Sequence, residues 1–600
     1  MTDPSPNSKL RHRGTEGGGA AQVPKELVPN EDVTKKDNKP KGRRIPRRLR
    51  YLKSPARTLA RRLGSCLILA GVFVYVQGPD AILRKLGFRK ESEWDHRYKI
   101  DFSTDYEKRD AVVDAFKHAW SAYERDAMGD DEYHPIGKTG SNLTKSGGIG
   151  YTVVDAIDTI QIMGLQEEYS RARSWVENKL SFDREGNFNT FETTIRVLGG
   201  LLSAYHLSEN DELYLNRAID LADRMLPAFD TNSGLPMSSV DLKGRRGIKA
   251  MTVSTAEAAT LQLEMKYLSY LTDREEFWEK SENVIKLIKN ARNPSGLVPI
   301  YMSDESGQFM VSEIRLGSRG DSYYEYLLKQ FLQTNQAEEV YREMYQYAMD
   351  SMHQYLIKFG VNQNTTYTTE LQPVQGPNGQ LMFSMTPKQD HLVCFLGGSL
   401  LLGAVTTGAI LTPVSVPPKQ SELTPNGQRD WSTGVRLIET CVGTYDTLTG
   451  LSPEIAHFFT DEDEFDHSSA GGKDWYIKAS VTGVVPYDAR YILRPETVES
   501  LFIAYRLTGN PKYRAYGWKI FQSIEKHCKV ESGGYASVLN VADLESEKED
   551  RMETFFLSET LKYLYLLFSD QDVLPLDKYV FNTEAHPLPV FQPHIKTGFS

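Results

Sequence analysis

Apolar residues recur at helical spacing through most of the chain from about residue 106 onward. They return every three or four positions, which is the period of an amphipathic helix. Strand-like stretches are short and few, around Leu297–Met302 and Val481–Val485. The pattern therefore predicts an all-α protein, with helices at Tyr106–Arg125, Val154–Leu180, Glu192–Ser208, Glu212–Ala228, Ala256–Leu271, Glu275–Asn290, Ser322–Gln333, Gln336–Ile357, His391–Val405, Trp431–Tyr445, Glu496–Leu507, Pro511–Lys529 and Met552–Phe568.

The predicted helices fall into pairs that differ in polarity. One member of a pair is apolar on nearly every face and opens with Glu or Asp, whereas the next is amphipathic and more charged. An inner ring of buried helices surrounded by an outer ring would show this alternation. An open stack of helix pairs is the alternative. Aromatic residues and Gly/Ser-rich turns beside the acidic ends favour a closed pocket instead.

The acidic starts of the apolar helices form a repeated motif. A Glu beside Thr or Ser precedes similar aromatic-rich sequence at Glu192, Glu257, Glu496 and Glu559. Ordinarily such a Glu belongs to a helix cap, where it complements the dipole of the first turn. Capping does not require the same arrangement beside Arg, Pro and aromatic residues in copy after copy. We therefore expect these four carboxylates to meet in one pocket.

Charge is unevenly distributed along the chain. The formal net charge is −10 over 600 residues, yet the first sixty residues are rich in Lys and Arg. An apolar run, Leu63–Val76, follows Arg61-Arg62. It is shorter than the about 17–25 residues of a spanning helix, and a signal peptide or a buried core helix would have a similar length. The basic flank favours an uncleaved signal anchor with the N-terminus in the cytosol.

These features divide the chain into four predicted segments. Residues 1–60 form a disordered basic cytosolic tail, 61–78 the transmembrane signal anchor, 79–104 a stem and 105–600 the helical domain. A basic tail can also bind nucleic acid, but one that directly precedes an apolar run indicates a membrane flank, so no nucleic-acid partner is expected. The lumenal location agrees with acceptor sequons at Asn142 and Asn364, whose occupancy the sequence leaves open.

Paired carboxylates without another nucleophile motif favour glycoside hydrolysis. The sequence contains no His-Glu-x-x-His zinc helix and no Gly-x-Ser-x-Gly nucleophile elbow. An aromatic ring beside carboxylates is a common floor for a sugar, and Phe555 lies about one helical turn before Glu559. Further polar residues at helix starts fit such a pocket: Asp155, Asp321, Glu325, Arg494 and Glu499.

Six longer motifs follow one another along the chain. They are Asn189–Tyr205, Gly317–Gln330, His391–Phe395, Leu451–Ile455, Leu493–Ser500 and Phe581–Pro587. In sequence and order they resemble the signature of the class I α-1,2-mannosidases, glycoside hydrolase family 47, from about Tyr106 to the C-terminus. The resemblance implies an (α/α)7 barrel of paired inner and outer helices, closed at one end by a C-terminal hairpin. We expect the protein to act as a monomer on oligomannose N-glycans.

The resemblance also implies an inverting mechanism and a role for each matched residue. Glu496 matches the general base. Glu192 matches the proposed acid, acting through a water, and Asp321 is the competing candidate, which the sequence leaves open. Phe555 matches the ring beneath the reacting sugar. The other positions that match substrate-contacting or pocket residues are Asp155, Arg196, Glu257, Arg319, Glu325, His391, Glu454, Arg494, Glu499, Glu559 and Glu584.

A Ca²⁺ ion at the barrel floor is a further implication of the resemblance. Thr583 would bind it through its backbone carbonyl and hydroxyl, surrounding Glu residues would hold the waters of the ion, and mannose hydroxyls would complete the shell. Oxygen ligands of this kind suit a hard cation. Three cysteines lie in the body of the chain, so several pairings are open; Cys394 and Cys441 match the disulfide of the family, which leaves Cys528 free.

Arg319 resembles the endoplasmic-reticulum subgroup of the family, because Golgi members usually have a smaller residue there. The implied enzyme trims one terminal mannose from Man9GlcNAc2 to a Man8 isomer, anchored in the endoplasmic-reticulum membrane with its catalytic domain in the lumen. Early Golgi residence is the alternative location. A catalytically silent oligomannose-binding factor of glycoprotein quality control is the alternative function. Every matched carboxylate is present, which favours an enzyme.

Overall fold

The computed structural model describes Trp94 and residues 97–291, 296–461, 472–479 and 483–599. The predicted tail, the predicted anchor and most of the predicted stem lie outside the described residues. So do residues 480–482 of the predicted strand around Val481–Val485, whose described part is not a strand. In the part of the chain that the structure describes, no helix has both the length and the apolar character of a membrane span.

The described chain is mostly helical, which confirms the predicted class. The main helices are α1 (Tyr106–Ala127), α2 (Tyr151–Ile162), α3 (Gln166–Asn178), α4 (Gly199–Leu207), α5 (Glu212–Met225), α6 (Gln262–Thr272), α7 (Glu275–Asn290), α8 (Asp321–Gln333), α9 (Glu339–Tyr355), α10 (Phe395–Val405), α11 (Pro425–Gly443), α12 (Glu496–Thr508), α13 (Pro511–His527) and α14 (Leu561–Phe568).

Short antiparallel strands connect the helices. They are β1 (Glu132–His134), β2 (Thr139–Ser141), β3 (Phe188–Asn189), β4 (Ser239–Asp241), β5 (Arg246–Ile248), β6 (Thr252–Ser254), β7 (Tyr301–Ser303), β8 (Ile357–Phe359), β9 (Thr366–Thr368), β10 (Glu370–Gln375), β11 (Leu381–Thr386), β12 (Lys388–Asp390), β13 (Ile455–Phe458), β14 (Trp475–Tyr476), β15 (Ser537–Val538), β16 (Lys548–Glu549), β17 (Tyr579–Phe581) and β18 (Pro587–Pro589). They form small sheets of two or three strands.

Even-numbered helices contact one another in sequence order. Helix α2 contacts α4, α4 contacts α6, and the series continues through α8, α10 and α12 to α14. The turn Phe556–Thr560, which leads into α14, contacts α2 again, so the series returns to its start. Each even-numbered helix from α2 to α12 also packs on the odd-numbered helix that follows it in the sequence, and α14 packs on α1.

Burial distinguishes the two sets of helices. Helix α12 buries twelve of its 13 residues, whereas α3 buries two of 13, Ala172 and Val176. This difference explains the alternation of polarity in the sequence, because a helix surrounded by others has no polar face. Asp321 and Glu496 are the first residues of α8 and α12, so these carboxylates lie where buried helices begin.

Several predicted helices are interrupted in the structure. The predicted helix Val154–Leu180 is two helices, because Gly164 takes a left-handed conformation (φ +71°) between α2 and α3. The predicted helix Ala256–Leu271 begins with a short helical turn, Thr255–Ala258, that is separate from α6. π-Helical turns at Thr193–Leu198 and Phe556–Thr560 precede α4 and α14. Such irregular turns are often found at functional sites.

Residues 97–104, the last part of the predicted stem, pack along α12 and α13. The Tyr98 hydroxyl donates to the carbonyl of Thr508 (3.1 Å), and Arg514 donates to the carbonyl of Ser103 (2.8 Å). Phe102 meets Tyr505 edge to face, with ring centroids 5.6 Å apart. This segment is therefore held to the helical domain that follows it.

The two sequons lie in different surroundings. Asn142 donates from Nδ2 to Asp130 (2.7 Å) and accepts from the backbone N–H of Asp131 (3.2 Å). Asn364 is exposed in the turn between β8 and β9 and makes no side-chain hydrogen bond with the described residues. The amide of Asn142 thus takes part in the fold, whereas that of Asn364 faces outward.

A disulfide joins Cys394, in the turn before α10, to Cys441 in α11, with 5.9 Å between the Cα atoms. Cys528 is free and buried. The predicted pairing is therefore confirmed.

Replacing both bridged cysteines by Ala is expected to lower the free energy of unfolding. The bridge spans 47 residues, and a cross-link of that length restricts the unfolded chain by about 4 kcal/mol in the chain-entropy treatment. Urea unfolding of the double variant measures the loss, with Cys528→Ala as the matched control. Two free thiols at residues 394 and 441 in peptide maps of non-reduced protein would contradict the prediction.

Candidate active site

The starts of the buried helices surround one cavity of about 330 Å³. Glu192, Glu257, Glu496 and Glu559 all line it, which confirms the prediction that the four repeated carboxylates meet. The other predicted site residues in its wall are Arg196, Arg319, Asp321, Glu325, Arg494, Glu499, Phe555, Thr583 and Glu584.

Three predicted site residues lie behind the cavity wall instead of in it. Glu454 forms an ion pair with Arg494, Nη2 to Oε1 2.7 Å, and Asp155 lies 3.5 Å from Nη1 of Arg196. The Nε2 atom of His391 is 2.9 Å from the hydroxyl of Thr497. Burial, assisted by the nearby Arg494 charge, lowers the pKa of His391 to about 3, so its ring is neutral. These three side chains therefore act on the cavity through the residues that they contact.

Seven lining residues were not among the predicted ones. Most of them are adjacent in sequence to residues that were, since Phe191 precedes Glu192 and Ser318 precedes Arg319. Their side chains are apolar or small, so a search for acids, bases and ligands passes over them. They are Phe191, Ile195, Ala256, Ser318, Ser322, Leu392 and Phe395.

Glu192 and Glu257 are presented by the same local structure. A short strand ends in a capping residue, Asn189 or Ser254, whose side-chain oxygen accepts from the N–H of the Glu three positions later (2.8 and 3.3 Å). The cap is therefore supplied by Asn189 and Ser254, and the Glu carboxylates remain available to the cavity. Nδ2 of Asn189 also lies 3.5 Å from Oε2 of Glu257, which links the two copies.

Glu496 and Asp321 are the first residues of α12 and α8. Burial raises the pKa of Glu496 to about 8 against the opposing charge of Arg494, whose Nη1 lies 3.7 Å from Oε1. The Oε2 atom of Glu496 is buried and has no hydrogen-bond partner among the described residues. Burial also raises the pKa of Asp321 to about 7, although its Oδ1 accepts from the N–H of Ser322 (2.8 Å).

The Phe555 ring is flanked by two guanidinium groups. The Cζ atoms of Arg196 and Arg494 lie 5.8 and 5.4 Å from its centroid, within the range of cation–π attraction. Arg196 is held in turn by Glu192, Nε to Oε2 2.9 Å, and by Glu584. An aromatic surface is thus fixed among carboxylates, which suits stacking of a sugar ring.

Carboxylates crowd the floor of the cavity around Thr583. The Thr583 hydroxyl donates to Oε2 of Glu325 (2.8 Å), and Nζ of Lys329 lies 3.5 Å from Oε1 of Glu499. Burial and mutual repulsion raise the pKa values of Glu559 and Glu584 well above their usual range. The pKa of Glu499 rises to about 7, again chiefly through burial.

This floor offers oxygen atoms of the kind that a hard cation binds. Within the described ranges no three His, Cys, Asp or Glu side chains are arranged as a direct metal-ligand set. The residues that could hold a cation are Thr583, through its carbonyl and hydroxyl, and the surrounding Glu side chains, through waters of the ion. The repulsion among buried carboxylates gives a physical reason for positive charge at this place.

Arg319 lies at the rim of the cavity. Its side chain is 43% exposed, and Nη1 lies 3.2 Å from Oε1 of Glu257. The guanidinium also lies over the ring of Tyr301, 5.5 Å from the centroid.

Three non-glycine residues around the cavity have positive φ angles: Arg319 (+72°), Leu493 (+67°) and Ala585 (+58°). This region costs energy for residues with a Cβ atom and is retained where the surrounding structure requires it. Arg319 itself lines the cavity, Leu493 precedes Arg494, and Ala585 follows Glu584. The strain therefore coincides with the site.

A buried aromatic floor among facing carboxylates and guanidinium groups defines a pocket of the kind that glycoside hydrolases use. The sequence profile of glycosyl hydrolase family 47 matches residues 115–590. The chain therefore belongs to glycosyl hydrolase family 47 and is a glycoside hydrolase.

Known proteins agree with this assignment. The chain is 44% identical over 530 residues to a mannosyl-oligosaccharide 1,2-alpha-mannosidase of Candida albicans, covering 85% of this chain and 87% of the relative. It is 41% identical over 493 residues to an endoplasmic reticulum mannosyl-oligosaccharide 1,2-alpha-mannosidase of Schizosaccharomyces pombe, covering 80% and 89%. The solved alpha-1,2-mannosidase from Trichoderma reesei superposes with a TM-score of 0.69 at 28% identity, covering 81% of this chain and 100% of that one.

Proposed function

We propose that the protein is a Ca²⁺-dependent, inverting exo-α-1,2-mannosidase that trims one terminal mannose from Man9GlcNAc2 to a Man8 isomer. The observation that carries this proposal is the meeting of Glu192, Asp321 and Glu496 with Phe555 in one cavity. Inverting glycosidases need an acid and a base on opposite sides of the sugar, with room for water beside the base. The relatives are mannosyl-oligosaccharide 1,2-alpha-mannosidases, which supports oligomannose as the substrate.

The proposed fold is an (α/α)7 barrel with α2, α4, α6, α8, α10, α12 and α14 as its inner ring. The return of their contacts from α14 to α2 supports it. Strands β17 and β18 pair as a hairpin, and its loop brings Thr583 and Glu584 into the cavity wall. A barrel closed at one end by this hairpin admits a chain terminus only from the other end, which is what exo-cleavage requires.

Glu496 is proposed as the general base. Its unpartnered Oε2 atom is available to accept a proton from a water that attacks the sugar. Burial raises the pKa of Glu496 to about 8, and the charge of Arg494, 3.7 Å from the carboxylate, opposes this rise and so favours the ionised form that a base needs. Glu454 binds the same guanidinium and so fixes its position.

The acid is proposed to be Asp321 or Glu192, and their surroundings differ. Burial raises the pKa of Asp321 to about 7, so its carboxyl can hold a proton near neutral pH, as an acid requires. The pKa of Glu496 is raised as well, and what sets Glu496 apart as the base is its ion pair with Arg494, which Asp321 lacks among the described residues. Glu192 is ion-paired with Arg196 and its side chain is 36% exposed, which suits a carboxylate that reaches the sugar through a water. The raised pKa of Asp321 favours it as the proton donor.

Ca²⁺ is proposed at the cavity floor, on Thr583. When bound, it would supply coordination sites for mannose hydroxyls and positive charge among the carboxylates. Glu325 orients the Thr583 hydroxyl through its hydrogen bond, and Lys329 offsets the charge of Glu325 and Glu499. Phe555 supports the sugar ring from below.

The proposed location is the endoplasmic reticulum, with the helical domain in the lumen and the N-terminal segment as a type II anchor. The name of the Schizosaccharomyces pombe relative supports the compartment, and the disulfide suits an oxidising one. We propose that the protein acts as a monomer.

Product analysis tests this function. The purified full chain in detergent with Ca²⁺ is incubated with Man9GlcNAc2, and timed samples are separated by chromatography. We expect one Man8 isomer, and proton NMR of the freshly released sugar should show β-mannose. Initial α-mannose would exclude inversion. Tight glycan binding without release of mannose would favour the silent quality-control factor.

Arg319→Leu is expected to slow the first cleavage about tenfold and to allow trimming of further mannoses. The guanidinium offers a rigid fork of donors to sugar hydroxyls at the rim and fills space that other branches would need. Loss of one charged hydrogen bond accounts for a rate effect of about this size. Chromatography of timed digests measures both effects, with Arg319→Lys as the conservative control. A mutant that still stops at the same Man8 isomer would show that Arg319 does not select the branch.

A further inference from the structure

Four fully buried charged side chains lie next to the cavity floor, and the proposed reaction does not use them. Asp155 and Asp158 stand on α2, Lys562 on α14 and His586 in the loop of the β17–β18 hairpin. Nδ1 of His586 lies 2.7 Å from Oδ2 of Asp158, and Nε2 lies 3.2 Å from Oδ1 of Asp155. Nζ of Lys562 lies 2.9 Å from Oδ1 of Asp158. We call these four residues the ionic layer.

The ionic layer carries two carboxylates and two potential cations. Burial opposes charge at Asp158, but Lys562 and His586 outweigh it and lower the pKa of Asp158 to about 2. The side chains of all four residues are 0% exposed. Buried charges are tolerated only when they are paired in this way, so the loss of one member leaves its partner unsatisfied.

Lys562 also binds the backbone of the hairpin loop. Its Nζ donates to the carbonyl oxygen of Ala585 (2.7 Å), and Ala585 has a φ of +58°. A residue with a Cβ atom is disfavoured in this conformation. From inside the loop, Oδ1 of Asn582 accepts from the N–H groups of Glu584 (2.9 Å) and His586 (2.8 Å). The strained conformation at Ala585 is thus held by Lys562 from outside the loop and by Asn582 from within it.

Thr583 and Glu584 stand between these two fixed points and line the cavity. A turn that relaxed at Ala585 would rotate the peptide groups beside it, and with them the carbonyl and hydroxyl of Thr583. The hydrogen bond from the Thr583 hydroxyl to Glu325 would not by itself restore the carbonyl direction. The conformation of Ala585 therefore bears directly on the cavity floor.

We propose that Lys562 is a positioning residue for the cavity floor. Paired with Asp158 and bound to the Ala585 carbonyl, it holds the strained turn in which Thr583 faces the cation position. This inference rests on the proposed Ca²⁺ site, because Thr583 is the residue assigned to the ion. Lys562 touches neither substrate nor ion and acts through Ala585.

A purely structural role of the ionic layer is the competing explanation, since the Asp158–Lys562 pair joins the first and last of the buried helices. Such a role would lower thermal stability equally with and without Ca²⁺. A positioning role changes the affinity for Ca²⁺ itself. The dissociation constant of the ion therefore separates the two.

The test measures Ca²⁺ binding to the chelated and dialysed full chain by isothermal titration calorimetry. Lys562→Met is expected to weaken binding at least tenfold. Because that variant leaves His586 as the remaining charged partner of Asp158 and can fail to fold, Asp158→Asn/Lys562→Met is the second variant, which removes both charges of the Asp158–Lys562 pair. Its binding is also expected to weaken at least tenfold.

Adding Ala585→Gly to the double variant provides a rescue. Glycine adopts positive φ without strain, so the turn should persist without the hydrogen bond from Lys562. We expect this change to recover at least threefold of the lost affinity, although it adds no contact. A merely destabilised barrel would not regain affinity in this way.

The matched control is another buried ion pair, Lys266 with Glu338, whose Nζ and Oε2 atoms are 2.7 Å apart. Lys266→Met/Glu338→Gln removes similar groups away from the cavity and should leave the Ca²⁺ dissociation constant within twofold. If the unmodified chain binds no Ca²⁺, the proposed metal site fails and the inference with it. If the unmodified chain binds Ca²⁺ and the double variant binds equally well, only the positioning role is wrong. A weakened double variant that Ala585→Gly does not rescue would overturn the role of the strained turn.

Discussion

Replacing Glu496 by Gln lowers kcat for mannose release about 10²–10⁴-fold, the range typical of a lost general base. The amide has nearly the shape of the carboxylate but cannot accept the proton of the attacking water. Arg494, Phe555 and the cavity floor remain in place, so glycan binding should change little. A fall in kcat with an almost constant dissociation constant identifies an interaction made in the transition state.

Initial rates on Man9GlcNAc2 and calorimetric binding of the same glycan measure the two quantities. Glu275→Gln is the matched control, because Glu275 is exposed in the first turn of α7 and does not line the cavity. It should retain activity within twofold. A Glu496→Gln enzyme that keeps more than a tenth of the original kcat would show that another group is the base.

Removing Ca²⁺ with EDTA is expected to abolish activity, and Ca²⁺ should restore it better than Mg²⁺. Mg²⁺ demands a tighter octahedral shell, whereas Ca²⁺ accepts more oxygen ligands at longer distances. Binding to the folded state alone also stabilises it, by about 2.7 kcal/mol when free Ca²⁺ is 100 times the dissociation constant. The melting temperature should therefore fall in chelator.

Thr583→Val tests the site of this effect. The variant loses the hydroxyl and keeps the carbonyl, so Ca²⁺ should bind more weakly without being lost. Activity assays over a range of free Ca²⁺ concentrations measure the shift, and Thr447→Val, at a part-buried hydroxyl that does not line the cavity, is the control. Full activity in excess chelator after prolonged dialysis would contradict the calcium requirement.

The sequence predicted the general form of the site from one repeated feature. Glu192, Glu257, Glu496 and Glu559 recur at the starts of apolar helices, and the structure places all four in one cavity. The prediction succeeded because equivalent positions in packed, repeated helices lie at the same end. Helix boundaries were less well predicted, as at Gly164, because a single left-handed residue ends a helix without changing the apolar period.

The sequence did not predict the surroundings of individual side chains. His391 and Glu454 matched the motifs as well as Glu496 did, yet they lie behind the cavity wall, bound to Thr497 and Arg494. Whether a matched side chain lines the cavity or supports it depends on its orientation in the folded chain. No local pattern encodes that difference.

By itself, the sequence determined the helical class, the alternation of buried and half-exposed helices and the ends at which the carboxylates lie. These properties follow from residue spacing, which is local. Only the tertiary structure decided which distant groups meet: Lys329 reaches Glu499 across 170 residues, and Arg196 reaches Glu584 across 388. It also decided that burial raises the pKa values of Glu496 and Asp321, because desolvation depends on everything that surrounds a group in the folded chain.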